Sequence, residues 1–504
     1  MIEKKQLPSQ YIVTALDALC LGGDAYVSED ALFKKCKILH SSISYEGFRA
    51  DLSEQIHAGK IQLEGSRIYD AKTWRYEESA ARSLSGILGN PFPYKQVAPA
   101  ELVVNGIALC EEQRNAVALA LSNRLTIILG GAGCGKSTLI RAIVNRVGAG
   151  KIAVLCAPTG KAARNLTSRT GLPARTIHSA LGLHPDEDLL GPVSWNQTDL
   201  VIVDEASMMT LEMLAGILHR VKSFCRVVLL GDPNQLLSVG SGNVLPDLLA
   251  LGLPCARLKT NHRQEQAALA LTKNVVEFSS LRYRKDLAVG EDFAILPLRE
   301  TEIEKELTKE AVRRYLSGEA VQVLSPYNRA TQLSVRNLNY SIRNEVNPLT
   351  EKTVTISFRS QTFRDGDRVM ILQNDRDRNC SNGDVGVLHI LKVHEKCASF
   401  CVLLPDGRMP VWEGNHHLAL LTLAYALTVH KSQGSEYDMV LFPVSTQMYS
   451  MLSRNLFYTA ISRARKRVIL YGSEQAIDVA MQRQLPERKS LLVAKTHMHM
   501  SCCA

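Results

Sequence analysis

The chain has 504 residues, with 59 Lys and Arg against 50 Asp and Glu and a formal charge of +9. That length is too great for one ordinary hydrophobic core and predicts roughly three or four domains, while the mild basic excess suits a polyanionic partner without requiring one. No apolar run reaches the roughly 18 residues of a membrane span, and the N-terminus lacks the apolar core of a signal peptide, so a cytoplasmic chain with no membrane partner is expected. The 12 cysteines show no C-x-x-C spacing, which argues against a disulfide framework and against a zinc site.

The first predicted elements are helices over 28–37 and 45–57 and short strands over 60–64 and 67–69, the strands joined across Gly65-Ser66. Ser28 supplies a helix start and Gly59 a helix stop. Helix, helix, hairpin is the pattern of a winged-helix-like module, assigned to residues 1–95. Its second helix sets Glu46, Asp51 and Glu54 against Arg49 alone, a poor face for a phosphate backbone, so a protein partner is favoured over DNA here. Pro91, Pro93 and Pro99 mark a linker.

From Leu109 to the neighbourhood of Cys255, apolar strand-like runs alternate with helices, which predicts a parallel sheet. Strands are expected at 125–129, 152–156, 199–203 and 226–230, and ligands of such sheets bind at the carboxyl ends. Residues 130–138 read Gly-Gly-Ala-Gly-Cys-Gly-Lys-Ser-Thr, the phosphate-binding pattern G-x-x-x-x-G-K-[ST], followed by a predicted helix over 139–147. Glycines let successive N–H groups turn toward phosphate oxygens, Lys136 adds a positive charge, and Ser137 offers a hydroxyl to Mg2+. ATP and Mg2+ are the expected cofactors, held by Gly131, Ala132, Gly133, Cys134, Gly135, Lys136, Ser137 and Thr138. Cys134 lies beside a helix N-terminus that should favour its thiolate, so alkylation there is expected to block nucleotide binding. After the third strand, Asp204 is assigned to the metal and Glu205 to the general base. After the fourth, the amide of Gln235 is assigned to sensing the γ-phosphate.

The motifs at 130–138, 157–163, 176–179, 203–208, 231–236, 261–264, 429–436 and 458–464 occur in the order of superfamily 1 helicase motifs. The chain most resembles the RecD-like branch of superfamily 1B. The resemblance implies an α/β fold: two RecA-like P-loop motor domains with parallel sheets, at 96–255 and at 256–353 with 418–480. It also implies an inserted SH3-like β-barrel at 354–417, and residues 481–504 are expected to form a flexible tail. Gln113 matches the adenine-contacting glutamine, Arg263 and Arg463 match arginines that reach the γ-phosphate, and Glu436 is placed with the nucleotide residues. Pro158, Thr159, His178, Thr428, His430 and Lys431 match positions that contact a single DNA strand.

The family carries a duplex-splitting pin at the position of the short insertion 181–198. Here Asp186, Glu187 and Asp188 would repel phosphates, and Trp195 either stacks on a base or packs. In the barrel, Arg364, Arg368, Arg376 and Arg378 allow a strand-gripping surface, with a plain stabilising insertion as the alternative. The implied activity is ATP-dependent translocation on single-stranded DNA, 5′ to 3′, with unwinding at single-strand/duplex junctions by a monomeric motor. An RNA-directed helicase and an ATP-switched binding module remain open on this reading.

Overall fold

The computed structural model describes residues 11–90, 96–131, 133–148, 150–183, 187–191, 195, 197–260, 269–279, 287–329, 331–394 and 397–503. The described N-terminal part has helices Tyr11–Cys20, Glu29–Leu39 and Tyr45–His57, and its three-stranded antiparallel sheet joins the strand Tyr26–Ser28, which lies between the first two helices, to the hairpin Ile61–Glu64 and Arg67–Asp70. Ser28 and Ser44 cap the second and third helices by accepting from Ala31 N and Gly47 N. The next helix, Ala71–Gly89, does not stay within this module. Its Tyr76, Ala80, Ala81 and Leu84 share one apolar cluster with strand residues such as Val201 and Leu229.

The first large sheet is wholly parallel, in the order Cys255–Leu258, Leu125–Gly130, Arg226–Gly231, Thr198–Val203, Ile152–Ala157 and Ala174–Thr176. Helices cover both faces, so the interior strand Leu125–Gly130 is buried at every position and is apolar but for Thr126. A second parallel sheet has the order Phe293–Pro297, Ala464–Gly472, Tyr437–Val444, Val321–Ser325 and Ala426–Thr428. Between the helix Val335–Val346 and the strand Ala426–Thr428 lies a five-stranded antiparallel sheet with the hairpin Thr355–Phe358 and Gln361–Arg364. It closes around Phe363, Leu388, Phe400 and Trp412, with Phe400 and Trp412 stacked at 5.8 Å. Its turns fall at Gly383 and Gly407, both in the left-handed region that glycine adopts without strain.

The flexible tail expected at 481–504 is corrected. Leu492–Cys503 forms a helix that packs on Ala71–Gly89. Lys495, only 2 % exposed, takes the buried position, paired with Glu64 at 2.8 Å and Glu77 at 3.2 Å and lying over the Tyr69 and Trp74 rings. A lysine where an apolar residue would normally point inward hides the helix from a hydrophobic-periodicity reading. The preceding residues contribute too: Ser490 Oγ and Leu491 N both donate to Glu77.

Asp247, on the helix Val244–Ala250, adjoins this network, and burial pushes its carboxyl up to about 6. Its stabilising contribution is thus complete below its unfolded pKa of 3.8 and disappears as the pH rises through about 6. Asp247→Asn is expected to be more stable than the parent at about pH 8, by on the order of 1 kcal/mol after solvent screening, and not at about pH 4. Urea unfolding at the two pH values checks this, and a pH-independent difference would contradict it.

Candidate functional site

The strand Leu125–Gly130 delivers the chain into a loop that turns at Gly133 and Gly135, with φ of 83° and 75°, before the helix Lys136–Val147 begins. A side chain at either glycine would be strained there. Lys136 Nζ donates to the carbonyls of Gly130 at 2.6 Å and Gly131 at 3.1 Å, which folds it over the loop. The loop floors a cavity of about 430 Å³. Ser137, Asp204, Glu205 and Gln235 reach its wall from the first sheet, and Glu436 and Arg463 from the second. The structure therefore brings most of the sequence-predicted nucleotide residues to one cleft between the sheets.

Asp204 follows the strand Thr198–Val203 and is partly buried on the wall of the cleft. Burial, reinforced by the neighbouring Glu205 charge, pushes its carboxyl up to about 6. Glu205 N donates to Asp204 Oδ1 at 2.9 Å, and the Glu205 backbone is left-handed, with φ of 53°. Gln235 is 2 % exposed, and its Oε1 accepts no hydrogen bond. An orphaned buried carbonyl on a nucleotide-sized cleft is a group awaiting a donor.

The opposite wall is carried by the helix Arg454–Ile461. Asn455 Nδ2 donates to the carbonyls of Asn234 and Gln235, and Leu236 N donates to Thr459 Oγ1 at 2.8 Å. Tyr458 Oη donates to Asp232 Oδ2, and a Cβ placed on Gly131 would lie 3.1 Å from that hydroxyl. Asp232 is 1 % exposed, and burial raises its pKa. Arg463, 4 % exposed, donates to Thr459 O, Ser435 O and Ser462 Oγ, so its guanidinium is fixed by its own unit before any ligand arrives.

Several predicted residues are placed differently. Gln113 lies beneath the loop with its amide engaged, Nε2 donating to Cys134 O and Oε1 accepting from Cys110 N. Glu436 pairs with Arg169 at 2.7 Å and Arg465 at 3.0 Å, bridging the two units. Thr138 is not among the residues lining the cleft. Ala132 and Arg263 lie outside the described residues. The expectation for Cys134 is corrected: its thiol is buried, and desolvation raises its pKa against the pull of Lys136. Asp232, Tyr458, Arg169 and Arg465 escaped the sequence reading. The first two stand inside quoted motifs, where attention to the residues before Gln235 and Arg463 could have found them.

The predicted DNA residues follow strand ends. Thr159 Oγ1 caps the helix Gly160–Thr170 by accepting from Ala162 N, and Thr428 Oγ1 accepts from Lys431 N in the same way. Pro158 is buried beside Thr159. Asn165 Nδ2 donates to Gly434 O, which brings the segment just after His430 and Lys431 against the Thr159 helix. Burial lowers the pKa of both His430 and Lys431, and for His430 the Arg488 charge adds to the effect. His178 lines a separate groove of about 820 Å³ between the first sheet and the barrel, beside Arg175 and Arg376.

Of the four barrel arginines, only Arg376 reaches that groove, where it donates to Ser179 Oγ at 2.9 Å. Arg364 donates to Asn347 O and Asn344 Oδ1, Arg368 to Ala424 O, and Arg378 pairs with Asp375. In this structure the guanidinium groups of these three are engaged within the fold. In the insertion 181–198, Asp188 pairs with Arg75 and accepts from Tyr76 Oη, and Trp195 Nε1 donates to Ala180 O. Trp195 packs against the apolar cluster, whereas Asp188 stays exposed and is tied down by these bonds; Asp186 lies outside the described residues.

Fold and site together define a P-loop nucleotide hydrolase whose site is completed by an arginine-bearing second sheet. The AAA domain description matches residues 108–281, the ATP-dependent RecD-like DNA helicase SH3 domain 338–402, and the UvrD-like helicase C-terminal domain 423–471. The chain is 35 % identical over 446 residues to the ATP-dependent RecD2 DNA helicase of Deinococcus radiodurans, covering 86 % of this chain but 59 % of that protein. It is 31 % identical over 421 residues to the RecBCD enzyme subunit RecD of Mycolicibacterium smegmatis, covering 74 % of this chain and 73 % of that one. The chain belongs to the RecD-like helicase family. It is also similar to a solved Bacteroides Pif1 bound to ssDNA, at 20 % identity and a TM-score of 0.48, over 76 % of this chain and 95 % of that one.

Removing the Tyr458 hydroxyl would leave a buried carboxylate oxygen short of a donor. Tyr458→Phe is therefore expected to destabilise the chain by about 1–3 kcal/mol in urea unfolding. An unchanged midpoint would show that the bond between the units is dispensable.

Proposed function

We propose that this chain is an ATP-driven motor that moves 5′ to 3′ on single-stranded DNA and opens duplex at junctions. The observation that carries the reading is the composite cleft, in which the phosphate loop and the acidic pair of one sheet face the fixed guanidinium of Arg463 from another. The 35 %-identical relative is named as an ATP-dependent DNA helicase, which supports DNA over RNA as the substrate class.

In this reading Lys136 and the loop N–H groups hold the phosphates. Glu205 orients and deprotonates the attacking water, Gln235 senses the γ-phosphate through its unpaired carbonyl, and Arg463 neutralises charge on the transferring group. The Ser137 hydroxyl and the Asp204 carboxylate are hard oxygen donors on one wall and would hold Mg2+. When bound, the ion supplies neutralisation of the developing phosphate charge. Because Arg463 comes from the second unit, hydrolysis depends on how the two units meet, and that dependence is the route by which turnover becomes relative motion. Thr159, Thr428 and Lys431 suit phosphate contacts that ignore sequence, and the groove at His178 and Arg376 continues the strand path beside the barrel. Opening one base-pair step costs about 1.4 kcal/mol, so trapping of fraying suffices without a dedicated pin. The acidic third helix of the N-terminal module, Tyr45–His57, suits a protein partner.

Displacement of a labelled strand from 5′-tailed duplex and not from 3′-tailed duplex is the expected result; the reverse preference defeats the polarity. DNA-stimulated ATPase without displacement points to a nucleotide switch, and stronger stimulation by a matched RNA strand points to an RNA motor. Lys136→Ala is expected to abolish hydrolysis while DNA binding persists. Arg463→Ala should keep nucleotide binding and lose turnover.

A further inference from the structure

The segment joining the second motor sheet to the C-terminal helix crosses the first unit at one point. There Arg488 Nη1 donates to Ser238 Oγ at 3.2 Å, Gly240 O at 3.0 Å and Gly242 O at 3.1 Å, and Nη2 donates to Ser238 O at 2.6 Å. Three main-chain carbonyls of a five-residue stretch thus converge on one cation. Their dipoles repel one another unless a positive, multiply donating group sits between them, and a planar guanidinium meets that need better than an ammonium. The approach is close: a Cβ on Gly23 would lie 2.2 Å from the Arg488 guanidinium carbon.

The same junction recruits the N-terminal part. Gly242 N donates to Gly23 O, Ala25 N to Lys489 O, and Lys489 N to Asp24 Oδ1. The stretch that Arg488 organises begins three residues after Gln235. Gln235 reaches the cleft with its side-chain carbonyl unpaired, so the backbone on either side must set where that carbonyl points. Asn455 and Thr459 hold the backbone from Asn234 to Leu236, and two residues beyond Leu236 the chain enters the carbonyls bound by Arg488. Leu236 O also accepts from Gln433 Nε2, at the end of the short helix that carries His430, and the Arg488 charge is felt at that histidine. The guanidinium therefore stands between the loop facing the nucleotide and an element facing the strand.

We propose that Arg488 is a positioning residue for hydrolysis, fixing the loop 237–242 so that Gln235 is aligned when single-stranded DNA is engaged. The proposal rests on the motor reading above. The test is steady-state ATPase of the full chain, with and without a dT oligonucleotide, for the parent, Arg488→Ala and Arg488→Lys. A parent without DNA-stimulated hydrolysis defeats the motor reading itself, before any variant is compared. Given stimulation, Arg488→Ala should lower the stimulated kcat by roughly tenfold, as sub-ångström misplacement of a reacting group does. The unstimulated rate, the KM for ATP and affinity for the oligonucleotide should stay within about twofold, and Arg488→Lys should recover part of the loss because it restores charge without the fork. A stimulated kcat within about twofold of the parent overturns the proposal. So does a parallel fall of stimulated and unstimulated rates, which marks a purely structural role. If Arg488→Ala does not fold, Arg488→Lys alone decides by the same kcat-against-KM comparison.

Discussion

The loop after the strand Arg226–Gly231 belongs by sequence to the first sheet, yet it is fastened by the second. Asn455, Tyr458 and Thr459 each bond to it, and Gln433 takes the carbonyl of Leu236. Those of Tyr458, Thr459 and Gln433 are buried, where an unmade hydrogen bond costs far more than a made one contributes, so the two units must meet in register. The helix that makes them ends at Ile461, and two residues later Arg463 enters the cleft. One helix thus both docks the units and aims the guanidinium, and the composite site follows from that docking.

What could be read from the sequence divides along the same line. The phosphate loop, the Asp204-Glu205 pair, Gln235 and Arg463 were legible because each is a short motif at the end of a strand or helix, where backbone geometry dictates residue type. The first parallel sheet was legible from its alternation of apolar runs and helices, whereas the second sheet and the antiparallel insertion came only with the family resemblance. Contacts that join distant segments left no local signature. Lys495 filling an inward position, Arg488 gathering carbonyls from residues 238 to 242, and Arg364 and Arg368 spent on main-chain carbonyls all depend on partners far away in sequence. Cys134 failed for a related reason: proximity to a helix N-terminus was visible, but the burial that outweighs it was not.

The N-terminal and C-terminal parts act on the motor as one body. Helix Ala71–Gly89 lies against Leu211–Arg220 on one side and against Leu492–Cys503 on another. Glu77 is shared among Tyr69, Ser490, Leu491 and Lys495. The strand-side groove has a comparable fastening at its other wall, where Arg164 donates to Ser381 Oγ and pairs with Asp384 of the barrel. Burial of that arginine lowers its pKa, while the carboxylate opposes the fall. The first sheet is therefore gripped on three flanks by elements outside its own sequence span.

The left-handed backbone at Glu205 carries a consequence for how such a chain can change over time. A non-glycine residue in that conformation is held at an expense of about 1 kcal/mol, which glycine would not incur. The position is thus one where the better-folding residue has no carboxylate and cannot serve as the base assigned here. Selection for stability alone would drift toward an inert chain at this site, and only continued demand for turnover keeps the acid in place.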